Sequence, residues 1–139
     1  DMEGSRGLGD VYKRQGYGNV GKYLPNMISN IDMEGFNVIW SCDPMHGNTR
    51  ISNNNYKTRT FESIVGELKE HISIHESKGT TLGGVHLEMT GQDVTECIGG
   101  VDNVEELELS KSYQTLCDPR LNANQAIEMA FLISDNLRQ

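Results

Sequence analysis

Two short apolar runs alternate with three stretches in which apolar residues return every three or four positions, and this alternation constrains the fold more than any other feature. Val20, Tyr23, Leu24, Met27, Ile28 and Ile31 mark a first amphipathic helix. Pro25 is expected in its first turn and Gly35 past its end. Phe36–Ser41, with β-branched and aromatic residues, reads as a buried strand, and a polar loop is expected over 43–55. Phe61, Ile64, Val65, Leu68 and Ile72 mark a second helix, capped by Thr58 or Thr60 and stopped by Gly79. His71 and His75 are placed on its surface. Gly84–Met89 reads as a second strand, and residues 90–116 as irregular chain. Asn122 followed by Gln125 is a capping-box pattern. The last helix then has an apolar face of Ala126, Ile127, Ala130, Phe131, Ile133 and Leu137.

Strands separated by helices pair in parallel through helical crossovers. Two strands cannot bury both faces alone, so the sequence reads as the tail of a larger α/β fold. Ser5–Gln15 (SRGLGDVYKRQ) back-translates to a transposase adapter used in preparing sequencing libraries, and Asp1–Gly4 recurs as Asp32–Gly35. Residues 1–15 are therefore expected to be adapter-derived and disordered, and residues 16–139 to be an incomplete domain that begins in mid-gene.

The formal charge is −8, with 12 Lys and Arg against 20 Asp and Glu. That speaks against nucleic-acid binding and against a polybasic membrane anchor. No apolar run reaches the roughly 18 residues of a membrane span, and no signal peptide is recognisable. Three cysteines without a CxxC pair fit a reducing compartment. Cys42, Cys97 and Cys117 read as small buried hydrophobes.

Parallel α/β folds place their chemistry past the C-terminal ends of strands. Three polar clusters meet that description, around His46, Glu88 and Asp118. One imidazole and two carboxylates suit a divalent cation. The spacing matches no short metal motif, and the same residues also read as a hydrogen-bonded loop histidine, a strand-end charge and a turn residue before Pro119. His86 reads as a support to such a site or as a core histidine. Asn48 reads as orienting substrate or holding its loop, and Arg120 as meeting substrate or bracing the loop at Asp118.

WSCDPMHGNT (Trp40–Thr49), GGVHLEMTGQDVTECIGG (Gly83–Gly100) and CDPRLN (Cys117–Asn122) resemble the signature blocks of class II 3-deoxy-D-arabino-heptulosonate 7-phosphate (DAHP) synthases. KTRTF (Lys57–Phe61) and QAIEMAFLIS (Gln125–Ser134) fit the same family, and the resemblance runs from Gly16 to the C-terminus. It implies a (β/α)8 TIM barrel, of which this chain holds about the last two strands and three helices. Phe36–Ser41 becomes the seventh strand and Gly84–Met89 the eighth. It implies condensation of phosphoenolpyruvate with erythrose 4-phosphate at the entry to the shikimate pathway. Carried over position by position, the metal ligands fall on His46, Glu88 and Asp118. A fourth ligand, a cysteine, and the main phosphoenolpyruvate-binding Arg and Lys residues lie upstream. Mn2+ is the expected ion, with Co2+, Zn2+ and Mg2+ as alternatives. The resemblance further implies a homo-oligomer, in the cytoplasm or a plastid, and no activity for this portion alone. Leu82 stands where the family often has Pro, and Ser112-Tyr113 where it often has Arg-Tyr. A non-catalytic metal-binding or regulatory module and a different metal-dependent aldolase are the competing readings.

Overall fold

The computed structural model describes residues 16–136. In chain order the elements are helix α1 (Val20–Met33), strand β1 (Trp40–Cys42), a 3-10 turn (His46–Asn48), β2 (Arg50–Ile51), β3 (Lys57–Thr58), α2 (Phe61–Lys78), β4 (Leu82–Val85), a second 3-10 segment (Glu106–Lys111) and α3 (Ala123–Asn136). β1 and β4 pair in parallel across the α2 crossover, with Trp40 opposite Leu82 and Cys42 opposite Val85. The alternation in the sequence thus gives an α/β unit. No helix among the described residues is long and apolar enough to cross a membrane.

One core packs Cys42, Met45, Phe61, Ile64, Leu68, Cys97, Leu121 and Met129; a second packs Val20, Leu24, Ile28 and Trp40. Leu82 touches both, at the position where a proline was the family expectation. The end of α1 follows from its sequence. Gly35 takes φ +70° and donates to Asp32 O, while Phe36 N–H reaches back to Ile31 O, so the last carbonyls are satisfied. Pro25 is the sixth residue of α1 rather than part of its first turn, because the helix already begins at Val20.

The strands depart from their expected bounds. Phe36 is 62% and Ile39 85% exposed, and β1 begins only at Trp40, where the ladder to Leu82 starts. β4 begins two residues before Gly84 and ends at Val85. Gly83 permits the close approach, since a Cβ there would sit 2.7 Å from Ile39 Cγ2. Beyond Val85, His86 N–H still bonds Cys42 O at 2.8 Å. The chain then changes partner, with Thr90 N–H to Leu121 O and Leu121 N–H to Glu88 O, both 2.9 Å. This switch carries Glu88 away from β1 and sets it beside the segment that bears Asp118. The expected loop over 43–55 contains β2, which forms an antiparallel hairpin with β3.

Two helix faces also differ. His71 and His75 are buried, not on the surface, forming with Glu67 a stripe at i, i+4 and i+8. α1 packs on α2, and Trp40 lies 5.3 Å from the His75 ring, so the face is covered. In α3 the capping box forms as expected, with Gln125 N–H to Asn122 Oδ1 at 2.9 Å and Asn122 N–H to Gln125 Oε1 at 3.1 Å. Gln125 also donates to Cys97 O and Gly99 O, which holds it inward. The buried stripe therefore starts at Gln125 and continues through Met129, turning Ile127 and Phe131 to solvent. Leu137 and residues 1–15 lie outside the described residues.

Candidate metal centre

The His46 turn is built by Asp43, which is 3% exposed. Asp43 Oδ1 accepts the backbone N–H groups of Met45 and His46, each at 3.2 Å. The same carboxylate accepts from His46 Nδ1, at 2.8 Å to Oδ2. With Nδ1 engaged there, Nε2 is the ring nitrogen left to face an outside partner. Nε2 lies 3.1 Å from Glu88 Oε1 and 4.0 Å from Asp118 Oδ2. Each of the three residues offers one ligand atom, and these atoms lie within 4.8 Å of one another.

β3 and the residue after it serve the two carboxylates. Lys57 Nζ bonds Asp118 Oδ1, and Arg59 NH1 bonds Glu88 Oε2 at 2.5 Å. The Lys57 hydrogen bond holds the Asp118 carboxyl below the usual range. Arg59 is fully buried and further fixed by Thr49 Oγ1 at 2.9 Å and by Pro119 O. Each candidate ligand thus has a dedicated neighbour, and Glu88 Oε1 and Asp118 Oδ2 remain turned toward His46. The sequence contained a signal for these cations in the i, i+2 spacing of Lys57 and Arg59 within KTRTF, yet no role was drawn from it. Asp43 was also missed.

The secondary candidates divide. His86 is exposed and stacks on His46 with ring centroids 5.8 Å apart; it is not a core histidine, because it lies past the end of β4. Asn48 has both ends of its amide engaged within the protein. Its Oδ1 accepts from Tyr17 N–H at 2.9 Å, and its Nδ2 donates to Pro44 O at 2.8 Å and Glu67 Oε2 at 2.6 Å. Arg120 is bound to Glu96, through NH2 to Oε1 at 2.6 Å and Nε to Oε2 at 2.9 Å. Cys42 and Cys97 are buried as expected, and burial pushes the Cys97 thiol up to about 12. Cys117 is exposed instead, since it sits in a surface bend ahead of buried Pro119.

The arrangement is that of an α/β protein with a candidate divalent-cation centre beside the ends of parallel strands. The Class-II DAHP synthetase family matches residues 3–134, and the chain belongs to it. The matched range includes part of the 1–15 segment. The phospho-2-dehydro-3-deoxyheptonate aldolase AroG of Mycolicibacterium smegmatis is 46% identical over 125 residues, covering 90% of this chain and 27% of that relative. The phospho-2-dehydro-3-deoxyheptonate aldolase of Neurospora crassa is 45% identical over 128 residues, covering 91% of this chain and 27% of the relative. That of Streptomyces coelicolor is 42% identical, with 90% and 28% covered. The chain therefore spans little more than a quarter of the length of the curated relatives it matches.

Proposed function

We propose that this chain is the C-terminal portion of a DAHP synthase barrel, and that His46, Glu88 and Asp118 hold the divalent ion on which its reaction depends. The observation behind the reading is the convergence of one imidazole nitrogen and two carboxylate oxygens from three distant segments. Family membership and the parallel β1–α2–β4 unit, the repeating unit of such barrels, support it. The donor set is mixed nitrogen and oxygen, which suits Mn2+ and also accepts Co2+, Zn2+ or Mg2+.

In the intact enzyme, C3 of phosphoenolpyruvate bonds to the aldehyde carbon of erythrose 4-phosphate, water adds at C2 and phosphate leaves. A divalent ion at this centre supplies Lewis acidity toward the aldehyde oxygen. The residues of this chain prepare the site. Asp43 fixes the plane of His46, Lys57 keeps Asp118 ionised, and Arg59 holds Glu88 aimed inward.

Mn2+ titration of the purified chain tests the site. His46→Ala should weaken binding by about 10-fold or more, since even outer partners of ligands reach that size. Cys97→Ser should bind like the parent. Tight binding by His46→Ala together with loss in Cys97→Ser would refute the assignment.

A further inference from the structure

Asp118 lies in a stretch, 112–120, that belongs to no helix or strand. Its backbone needs partners from elsewhere, because free N–H groups near a buried wall are costly. Three of its backbone N–H groups, those of Gln114, Thr115 and Arg120, end on one side chain, while Ser112 N–H goes to Thr95 Oγ1 and Cys117 N–H to Thr115 Oγ1. Glu96 is 1% exposed. Its Oε1 accepts the N–H groups of Gln114 at 3.1 Å and Thr115 at 2.8 Å, and Arg120 NH2 at 2.6 Å. Its Oε2 accepts Arg120 N–H and Nε, both at 2.9 Å. Thus five donors on either side of Asp118 end on a single carboxylate. The backbone at Glu96 is tied in turn to the cation-bearing strand: Thr58 Oγ1 donates to Glu96 O at 2.8 Å, and Ile98 N–H to Arg59 O at 2.8 Å.

We infer that Glu96 is the positioning residue of the candidate metal centre, fixing the 112–120 loop so that Asp118 meets His46 and the Lys57–Arg59 pair in register. The inference rests on the reading of Asp118 as a ligand. Glu96 touches none of the three candidate ligand atoms. It acts through the loop backbone, joining Asp118 to the segment that also orients Glu88. Lys57 alone cannot do this, since a half-buried lysine on a flexible stem fixes a charge but not a backbone path. The guanidinium of Arg120, which the sequence left between substrate contact and loop brace, is the loop's own share of the clamp.

The test compares the 139-residue chain with its Glu96→Gln variant. Gln keeps the size but offers one acceptor and a new donor, so at least two of the five donors lose their partner. Two measurements are made: hydrogen exchange of segment 112–120, and Mn2+ affinity from the free-ion EPR signal. Glu96→Gln should speed exchange across 112–120 by about 10-fold or more while α2 and α3 stay protected. It should also weaken Mn2+ binding by about 10-fold. A folded Glu96→Gln chain with parental exchange in 112–120 and parental Mn2+ affinity overturns the inference, as does loss of protection spread evenly through α2 and α3. Should Glu96→Gln not fold, Arg120→Gln takes its place. It removes two donors and leaves three, and it should show both effects at smaller size; parental behaviour in both measurements overturns the inference there too. His46→Ala separates this from the metal reading. If the parent and His46→Ala bind Mn2+ equally, or the parent binds none, the metal reading fails. The exchange of 112–120 then decides the clamp alone: faster in Glu96→Gln supports it, and unchanged overturns it.

Discussion

Glu67 and His71 are buried one helical turn apart with opposite proton preferences. Burial pushes the Glu67 carboxyl up to about 7 and the His71 imidazole down to about 4, and lowers His75 as well. Folded Glu67 holds a proton that the unfolded chain has released, so its contribution is full below about pH 4.5 and is lost as pH rises through 7. His71 works the other way: its contribution is full above about pH 6.5 and is lost as pH falls toward 4. Between these limits the two slopes oppose each other. Glu67→Gln mimics the protonated form and removes one of them. The variant's stability should therefore rise from pH 5 to pH 7 by about 2–3 kcal/mol more than the parent's, at ~1.4 kcal/mol per pH unit. Urea unfolding at the two pH values reads this directly, and parallel profiles would show that Glu67 is not protonated in the fold. None of this was legible in the sequence, where Glu67-x-x-x-His71-x-x-x-His75 looks like an exposed polar face. The candidate ligands were legible only because long blocks surround them. Their neighbours Asp43, Lys57, Arg59 and Glu96 depend largely on contacts between distant segments, such as Lys57 with Asp118, which no local pattern encodes.

At the scale of elements, the helices were readable and the strands less so. Helix ends are written locally: Gly79 at φ +66° closes α2, and Asn122 with Gln125 opens α3. Strand ends depend on which neighbour continues the ladder, and here the segment after β4 leaves β1 for Leu121. The orientation of α3 was misjudged for a related reason. A buried Gln anchored to two carbonyls outweighs Ile127 and Phe131, whereas a hydrophobic count ranks them the other way. The cap gives a direct test. Asn122 is 2% exposed and also donates to Val94 O at 3.2 Å, so Asn122→Ala loses the cap and leaves a buried carbonyl without that donor. It should cost about 1–3 kcal/mol. Asn124→Ala, whose amide only meets Asp102 at the surface, should stay within about 0.5 kcal/mol. The shift of the urea midpoint at constant slope measures both, and equal midpoints would remove the capping box from the account of α3.

For the whole molecule, the exposed apolar side chains fit the share of the relatives that the chain covers. Phe36 and Ile39 flank the start of β1, which pairs only with β4 among the described residues, and Ile127 and Phe131 stand on the open side of α3. Large exposed apolar groups commonly mark surfaces that another element covers. In the proposed barrel those elements, the cysteine ligand and most phosphate-binding bases belong to the upstream three-quarters. The candidate centre has three protein donors among the described residues, and correct orientation of both reactants carries much of such a rate. The 139-residue chain alone should therefore show no erythrose 4-phosphate-dependent loss of phosphoenolpyruvate. Residues 16–136 grafted into the Mycolicibacterium smegmatis relative in place of its matching segment should restore that loss, and the same chimera with His46→Ala should not. Turnover above blank by the isolated chain would show that the site is complete without the upstream portion. An active His46→Ala chimera would separate the reaction from the centre formed by His46, Glu88 and Asp118.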